Sequence, residues 1–164
     1  KSYESLDERI KTEFMKEAEN IKALQQELSG FVDEDTKAFN KFMEAMKLPK
    51  DTEEQKLLRK KKMQEASLYA LQVPLKTAES CFELLKNQGS IARYGNKNAV
   101  SDVGVGALLA LSGLEGAILN VNINLPGIAD EAVRSEAYDK CRMLSSEGRK
   151  LHKVILDIVN LRIG

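Results

Sequence analysis

Apolar residues recur at steps of three and four, or sums of them, along nearly the whole chain, and this spacing limits it to long α-helices. The first stripe runs Leu6, Ile10, Phe14, Ile21, Leu24, Leu28, Val32, Phe39, Phe42 and Met46. A second runs Leu57, Leu58, Met63, Ala66, Tyr69, Ala70 and Val73, then Leu75, Ala78, Phe82 and Leu85. The last is Val133, Ala137, Cys141, Leu144, Gly148, Leu151, Ile155 and Ile158. No alternating strand pattern or Asn-Gly hairpin interrupts them. A charged fraction of 30%, an aromatic fraction of 5% and 3 prolines suit amphipathic helices better than a β-sandwich. The expected fold is all-α, a bundle of long helices in one domain over residues 1–164.

Local signals divide the helices. Ser5 and Glu8 form a capping box for a first helix from about Ser5 to Lys47, which Gly30 bends or divides and Leu48-Pro49 ends. Thr52 with Gln55 starts the second, and Pro74 kinks rather than stops it, because the period continues to an end near Asn87–Gly89. Ile91 to Asp102 reads as a polar connection, with Ser101 as N-cap of a third helix over about Asp102–Asn122. That helix is apolar on nearly every side and rich in Gly and Ala, which predicts a buried central helix. Each glycine within it costs about 1 kcal/mol relative to Ala, so a packing or binding reason is implied. The last helix covers about Asp130–Leu161.

Composition removes several function classes. Lys plus Arg and Asp plus Glu number 25 each, and a zero net charge argues against a nucleic-acid or anionic-membrane binder. The charge-free run Val103–Leu114 falls short of the ~20 residues of a membrane span, and no signal peptide opens the chain. A soluble, cytoplasmic protein is expected. Cys81 and Cys141 lack metal or redox spacing and read as reduced, buried side chains. The single histidine, His152, falls off the last stripe and is expected at the solvent surface, which leaves no multi-histidine metal site or histidine triad.

Several polar features stand out. Steps of three and four from Val32 and Phe39 place Asp35 on the same apolar face, where a carboxylate is costly unless paired or used. The alternative is an Asp that swings to solvent. Glu115, within the apolar third helix, reads first as a structural ion pair. Gly95-Asn96-Lys97-Asn98 with Ser101-Asp102 gathers amides, a hydroxyl and a carboxylate at a helix N-terminus, able to orient polar ligands or simply to start the helix. Asn120, Asn122 and Asn124 either satisfy helix-end carbonyls or line a site. Arg59-Lys60-Lys61-Lys62 is a solvated face or an attraction for an acidic substrate tail.

Two stretches together resemble the cyclodeaminase domain of formiminotransferase-cyclodeaminase and the related methenyltetrahydrofolate cyclohydrolases. They are Val32-Asp33-Glu34-Asp35-Thr36-Lys37-Ala38-Phe39 with Met46-Lys47-Leu48-Pro49-Lys50, and Gly95-Asn96-Lys97-Asn98-Ala99-Val100-Ser101-Asp102-Val103-Gly104-Val105 with Asn120-Val121-Asn122-Ile123-Asn124-Leu125. Val73-Pro74-Leu75 inside a helix is similar too. The chain begins after the Gly-rich segment with which family members usually open. The resemblance implies an all-helical homodimer acting on a tetrahydrofolate derivative, without metal or redox cofactor, nucleic acid or membrane. It implies either ring closure of 5-formiminotetrahydrofolate to the 5,10-methenyl compound and ammonia, or interconversion of the methenyl and 10-formyl forms. Asp35 and Asp102 become the candidate general acid/base and its orienting partner. Asn96, Asn98, Ser101 and Asn120 become candidate pterin contacts, and Lys50 and Arg59 candidate contacts for the glutamate tail. A non-catalytic helical interaction module is the competing class. A coiled-coil scaffold fits poorly, because the third helix lacks charged flanking positions.

Overall fold

Three of the four long helices start where a side-chain oxygen takes up their first free amides. The computed structural model describes residues 6–164, so the expected Ser5–Glu8 box lies outside the described residues. Helix α1 (Glu8–Lys47) opens on Asp7, which accepts from the Arg9 amide at 2.9 Å. Helix α2 (Glu53–Lys86) opens on the predicted box: the Thr52 hydroxyl accepts from the Gln55 amide, and the Gln55 side chain accepts from the Thr52 amide. Helix α5 (Glu131–Ile163) opens on Asp130, which accepts from Ala132 and Val133.

The segment expected as an irregular connection is more helical than its sequence suggests. Gly89–Tyr94 forms a short helix, α3, and a 3₁₀ turn over Lys97–Ala99 leads into α4 (Val100–Asn124). The Glu17 carboxylate of α1 accepts from the Ser90 amide at 2.9 Å, the Ser90 hydroxyl at 2.5 Å and the Ile91 amide at 3.3 Å. A partner so distant in sequence leaves no local signal. Ser101 is not the N-cap of α4. The Val100 amide already donates to the Lys97 carbonyl, so helical bonding starts before it. Gly30 does not divide α1, which runs through it unbroken.

The four long helices run up and down. Asn20–Asn87 at 2.8 Å, Glu27–Ser80 at 3.0 Å and Glu34–Tyr69 pair α1 antiparallel with α2. Cys81 against Gly113 and Ala70 against Asn124 set α4 antiparallel to α2, and Leu114 against Gly148 sets α5 antiparallel to α4. Leu85, Leu114, Val121 and Ile128 are the largest fully buried side chains. Gly113 has the packing reason expected of the third helix's glycines, and Gly148 of α5 has one too. A Cβ on Gly113 would lie 2.9 Å from the Cys81 sulfur, and one on Gly148 would lie 2.4 Å from Leu114 Cδ2. No strand occurs among the described residues.

α2 continues through Pro74, as its periodicity predicts. Proline offers no N–H to the carbonyl four residues earlier, that of Ala70. The Asn124 carboxamide donates to that oxygen at 3.1 Å and to the Asn120 carbonyl at 2.9 Å.

α4 departs from the expectation of a helix buried all round. One face packs on α2 and α5, but Val105, Leu109, Leu119 and Ile123 remain 53, 67, 70 and 77% exposed. By length and composition, the helical stretch Lys97–Gly127 is long and apolar enough to cross a membrane, which the shorter charge-free run had not suggested. Its Glu115 forms the expected ion pair, accepting from Arg149 Nε and the Ser145 hydroxyl, each at 2.8 Å. Burial pushes this carboxyl up, but Arg149 and Ser145 outweigh it and hold it below the ordinary value. Cys81 and Cys141 are buried free thiols, pushed up by desolvation. His152 is half-buried rather than at the open surface, and its Nε2 is buried without a hydrogen-bond partner among the described residues.

Candidate functional site

The site begins with the order of helices around α2. Successive helical residues turn by about 100°. On α2 the side chains meeting α1 (Tyr69, Ser80, Asn87) and the positions meeting α4 (Ala70, Cys81) lie roughly a quarter turn apart. Leu85 and Phe82, beside Gly148 of α5, and Glu79, paired with Lys140 of α5, all lie outside the arc between those two sets. α1 and α4 therefore flank α2 as two walls, with half-buried Ala70, Thr77 and Leu84 between them. Both walls carry bare apolar side chains. Val32 and Phe39 of α1 are 69 and 62% exposed, and Met46 is also exposed. They lie on the flank of α1 opposite Lys41, Glu44 and Leu48, which line a separate outer groove with α2. On α4 the corresponding flank carries Leu109, Gly116 and Asn120, turned away from α5. The result is an open trough with an apolar lining.

Asp35 stands on the trough wall and is exposed. Its assignment to the inward face needs correction. The inward positions are Phe31, Glu34, Ala38, Phe42 and Ala45, one step around the helix from Val32, Asp35, Phe39 and Met46. α1 has two apolar faces, and the rest of the chain covers the one that carries Ala38 and Ala45. Asp35 sits beside Glu34, whose partner Tyr69 precedes Ala70, whose carbonyl meets Asn124. Asp35 and the Asn120–Asn124 end of α4 are thus level across the trough. Asn120 is exposed, and its side chain makes no hydrogen bond within the described residues.

Asn96, Asn98, Ser101 and Asp102 are also exposed, but at the opposite end. From Asp102 to Asn124 is 22 residues of helix, or about 33 Å. The chain therefore splits the predicted site, with Asp35 and Asn120 at one end and Asp102 with its amide cluster at the other. Part of that cluster is structural: Asn96 Oδ1 accepts from the Asn98 amide at 3.0 Å and shapes the 3₁₀ turn. Arg162, which the sequence did not single out, donates to the Ala92 and Gly95 carbonyls at 2.7 Å each and fixes that turn to α5.

Lys50 and Arg59 lie beyond the Asp35 end, where they line a depression of about 370 Å³ with Lys56, Lys60, Met63 and Gln64. Arg59 is also structural, since its Nε and Nη2 donate to the Met46 carbonyl at 3.3 and 3.2 Å and close the end of α1. Lys56 is paired with Glu53 at 2.7 Å. A second cluster went unnoticed in the sequence. The Glu34 carboxylate takes a hydrogen bond from Lys37 at 2.8 Å and another from the Tyr69 hydroxyl, while the Lys41 ammonium lies 4.1 Å from the Tyr69 ring centroid. Lys37 first, then Tyr69, holds Glu34 below the ordinary carboxylate value, and Glu34 in turn raises the Tyr69 phenol. Only the step of three or four from Phe31 and Ala38 could have marked Glu34 as inward-facing.

The family model described as formiminotransferase-cyclodeaminase matches residues 1–143. The chain belongs to this family. A methenyltetrahydrofolate cyclohydrolase of Methylorubrum extorquens is 36% identical over 146 residues, covering 89% of the chain and 70% of that protein. The formimidoyltransferase-cyclodeaminases of Gallus gallus and Sus scrofa are 35% and 36% identical, covering 83% and 82% of the chain. The chain spans about a quarter of the length of these bifunctional relatives. The Val32–Lys50 stretch and the Asn120–Leu125 part of the other lie at one end of the trough and Gly95–Val105 at the other, with the bare face of α4 running between them.

Proposed function

We propose that this chain is a folate-dependent one-carbon enzyme that closes 5-formiminotetrahydrofolate to 5,10-methenyltetrahydrofolate and ammonia, and that it works as a homodimer. The observation that carries the reading is the split site. Asp35 and Asp102 stand about 30 Å apart along one protomer, with an uncovered apolar stripe between the two ends. Ser112 lies midway along that stripe. A twofold axis there would set two α4 helices antiparallel and place Asp102 of one copy opposite Asn122 of the other. Gly116, with nothing within 4 Å of where its Cβ would be, leaves room for a second backbone. The seam would also cover Val105, Leu109, Leu119 and Ile123.

In that arrangement each of two sites takes Asp35 and Asn120 from one copy, and Asn96, Asn98, Ser101 and Asp102 from the other. Ring closure requires N10 to attack the amidinium carbon bonded to N5. One carboxylate takes the N10 proton; the other group delivers a proton to the departing nitrogen, which leaves as ammonia when its bond to that carbon breaks. The amides and the Ser101 hydroxyl would orient the pterin, and Lys50 and Arg59 would attract the glutamate tail. Proton transfer and positioning suffice for this reaction, so we read it as cofactor-free.

The cyclohydrolase reaction is the second reading, favoured by the name of the Methylorubrum extorquens relative. Absorbance of the methenyl compound separates the two. Its appearance from 5-formiminotetrahydrofolate supports the cyclodeaminase, and its loss only when supplied as substrate supports the cyclohydrolase. No change in either mixture, and no folate binding, would leave a non-catalytic helical module instead.

A further inference from the structure

We infer that Asn124 is a substrate-contacting residue whose side-chain oxygen accepts a hydrogen bond from an N–H of the bound pterin; the inference rests on the folate reading above. Two observations orient this side chain. Its Nδ2 donates to the Ala70 carbonyl at 3.1 Å and to the Asn120 carbonyl at 2.9 Å. Carbonyl oxygens only accept, so the nitrogen must face them, and the amide cannot flip without losing both bonds. Both donors are therefore spent on main chain, and the oxygen is left as a fixed acceptor. That oxygen has no hydrogen-bond partner among the described residues and is not fully buried.

Pro74 supplies the reason an asparagine is held here. An ordinary residue at 74 would satisfy the Ala70 carbonyl with its own N–H. Proline removes that donor and leaves the carbonyl for Asn124, at the trough floor and level with Asp35. The carboxamide thus spans the gap between α2 and α4 beside a candidate acid/base. A reduced pterin presents several N–H groups, and a preorientated acceptor selects for them without a further ordering cost. The pterin is common to both folate reactions, so the role of Asn124 does not depend on which one runs.

The proline also separates a ligand contact from a merely structural one. Pro74→Ala restores the main-chain donor and makes the Asn124 amine redundant for the Ala70 carbonyl. Asn124→Ala, Pro74→Ala and the double variant would be compared for thermal stability, kcat and KM in the methenyl absorbance assay. We expect Asn124→Ala to lower both stability and kcat/KM. The double variant should regain the stability of Pro74→Ala while its kcat/KM stays about 2- to 10-fold below that of Pro74→Ala, the range for a lost hydrogen bond between neutral groups. A double variant matching Pro74→Ala in both properties would make Asn124 structural only and overturn the inference. A wild-type protein that neither binds nor converts folate would overturn the folate reading and this inference with it, so the two failures are distinguishable.

Discussion

The proposed sharing of each site between two copies makes a quantitative prediction for mixed dimers. Asp35→Asn and Asp102→Asn each remove one carboxylate from every site, and each should lower turnover by about two to four orders of magnitude, the usual worth of a positioned acid or base. Both residues are exposed, so neither substitution should disturb folding. Random reassociation of equal amounts gives heterodimers as half of all dimers. If Asp35 of one copy works with Asp102 of the other, each heterodimer has one site with both carboxylates intact and one with neither. Half of the sites in half of the dimers are then restored, so the mixture should reach about a quarter of wild-type turnover. The length of α4 gives this test its force: a separation of about 30 Å cannot be closed by side-chain motion. Steady-state methenyl absorbance after co-expression or refolding together reads the result. A mixture no more active than the mean of its parents would place each working site within a single protomer and refute the twofold arrangement.

Other outcomes follow from particular contacts. Leu109→Glu puts a charge on the bare stripe of α4, and sedimentation should show a monomer with its helix content intact; a dimer of unchanged affinity would argue against that seam. Gly30→Ala should raise stability by about 1 kcal/mol and Tm by about 2–4 °C, because the site is open helix surface. Gly148→Ala should instead destabilise by about 1–3 kcal/mol in denaturant melts, since its methyl would meet Leu114 Cδ2 at 2.4 Å in a filled core. Glu115 has a depressed folded-state pKa, so its contribution is fully present above the ordinary value of 4.5 and is lost as pH falls through the lower folded value. Glu115→Gln should accordingly flatten the acid limb of a stability–pH profile, and an unchanged limb would show that the Arg149 pair contributes nothing there.

The parts of this fold legible in the sequence are those fixed by neighbours along the chain. The Thr52–Gln55 box, the passage of α2 through Pro74 and the stripe of α5 involve residues a few positions apart, and each is found where periodicity and capping put it. What the sequence hid depends on distant partners. α3 is tied down by Glu17, the turn before α4 by Arg162, and the Ala70 carbonyl by Asn124; none of these pairings leaves a spacing signal.

The face of Asp35 shows a different limit. α1 has apolar residues on two flanks, Phe31–Ala38–Phe42–Ala45 and Val32–Phe39–Met46, and the periodic stripe took the second, with Phe42 of the first, for the core. Within the chain that choice is wrong, because a helix packed at close range against α2 needs the small Ala38 and Ala45 in the contact. The same pattern recurs on α4, where Ala107, Ala110 and Ala117 face inward while Val105, Leu109 and Leu119 remain bare. Two helices that carry apolar residues on inward and outward faces alike are dressed for contacts on both sides. Periodicity reports that a face is apolar, whether its own chain or another molecule covers it. The motif residues Asp35, Asn120 and Asp102 border those uncovered faces, so the surfaces that made the core hardest to read are the ones on which the proposed site is built.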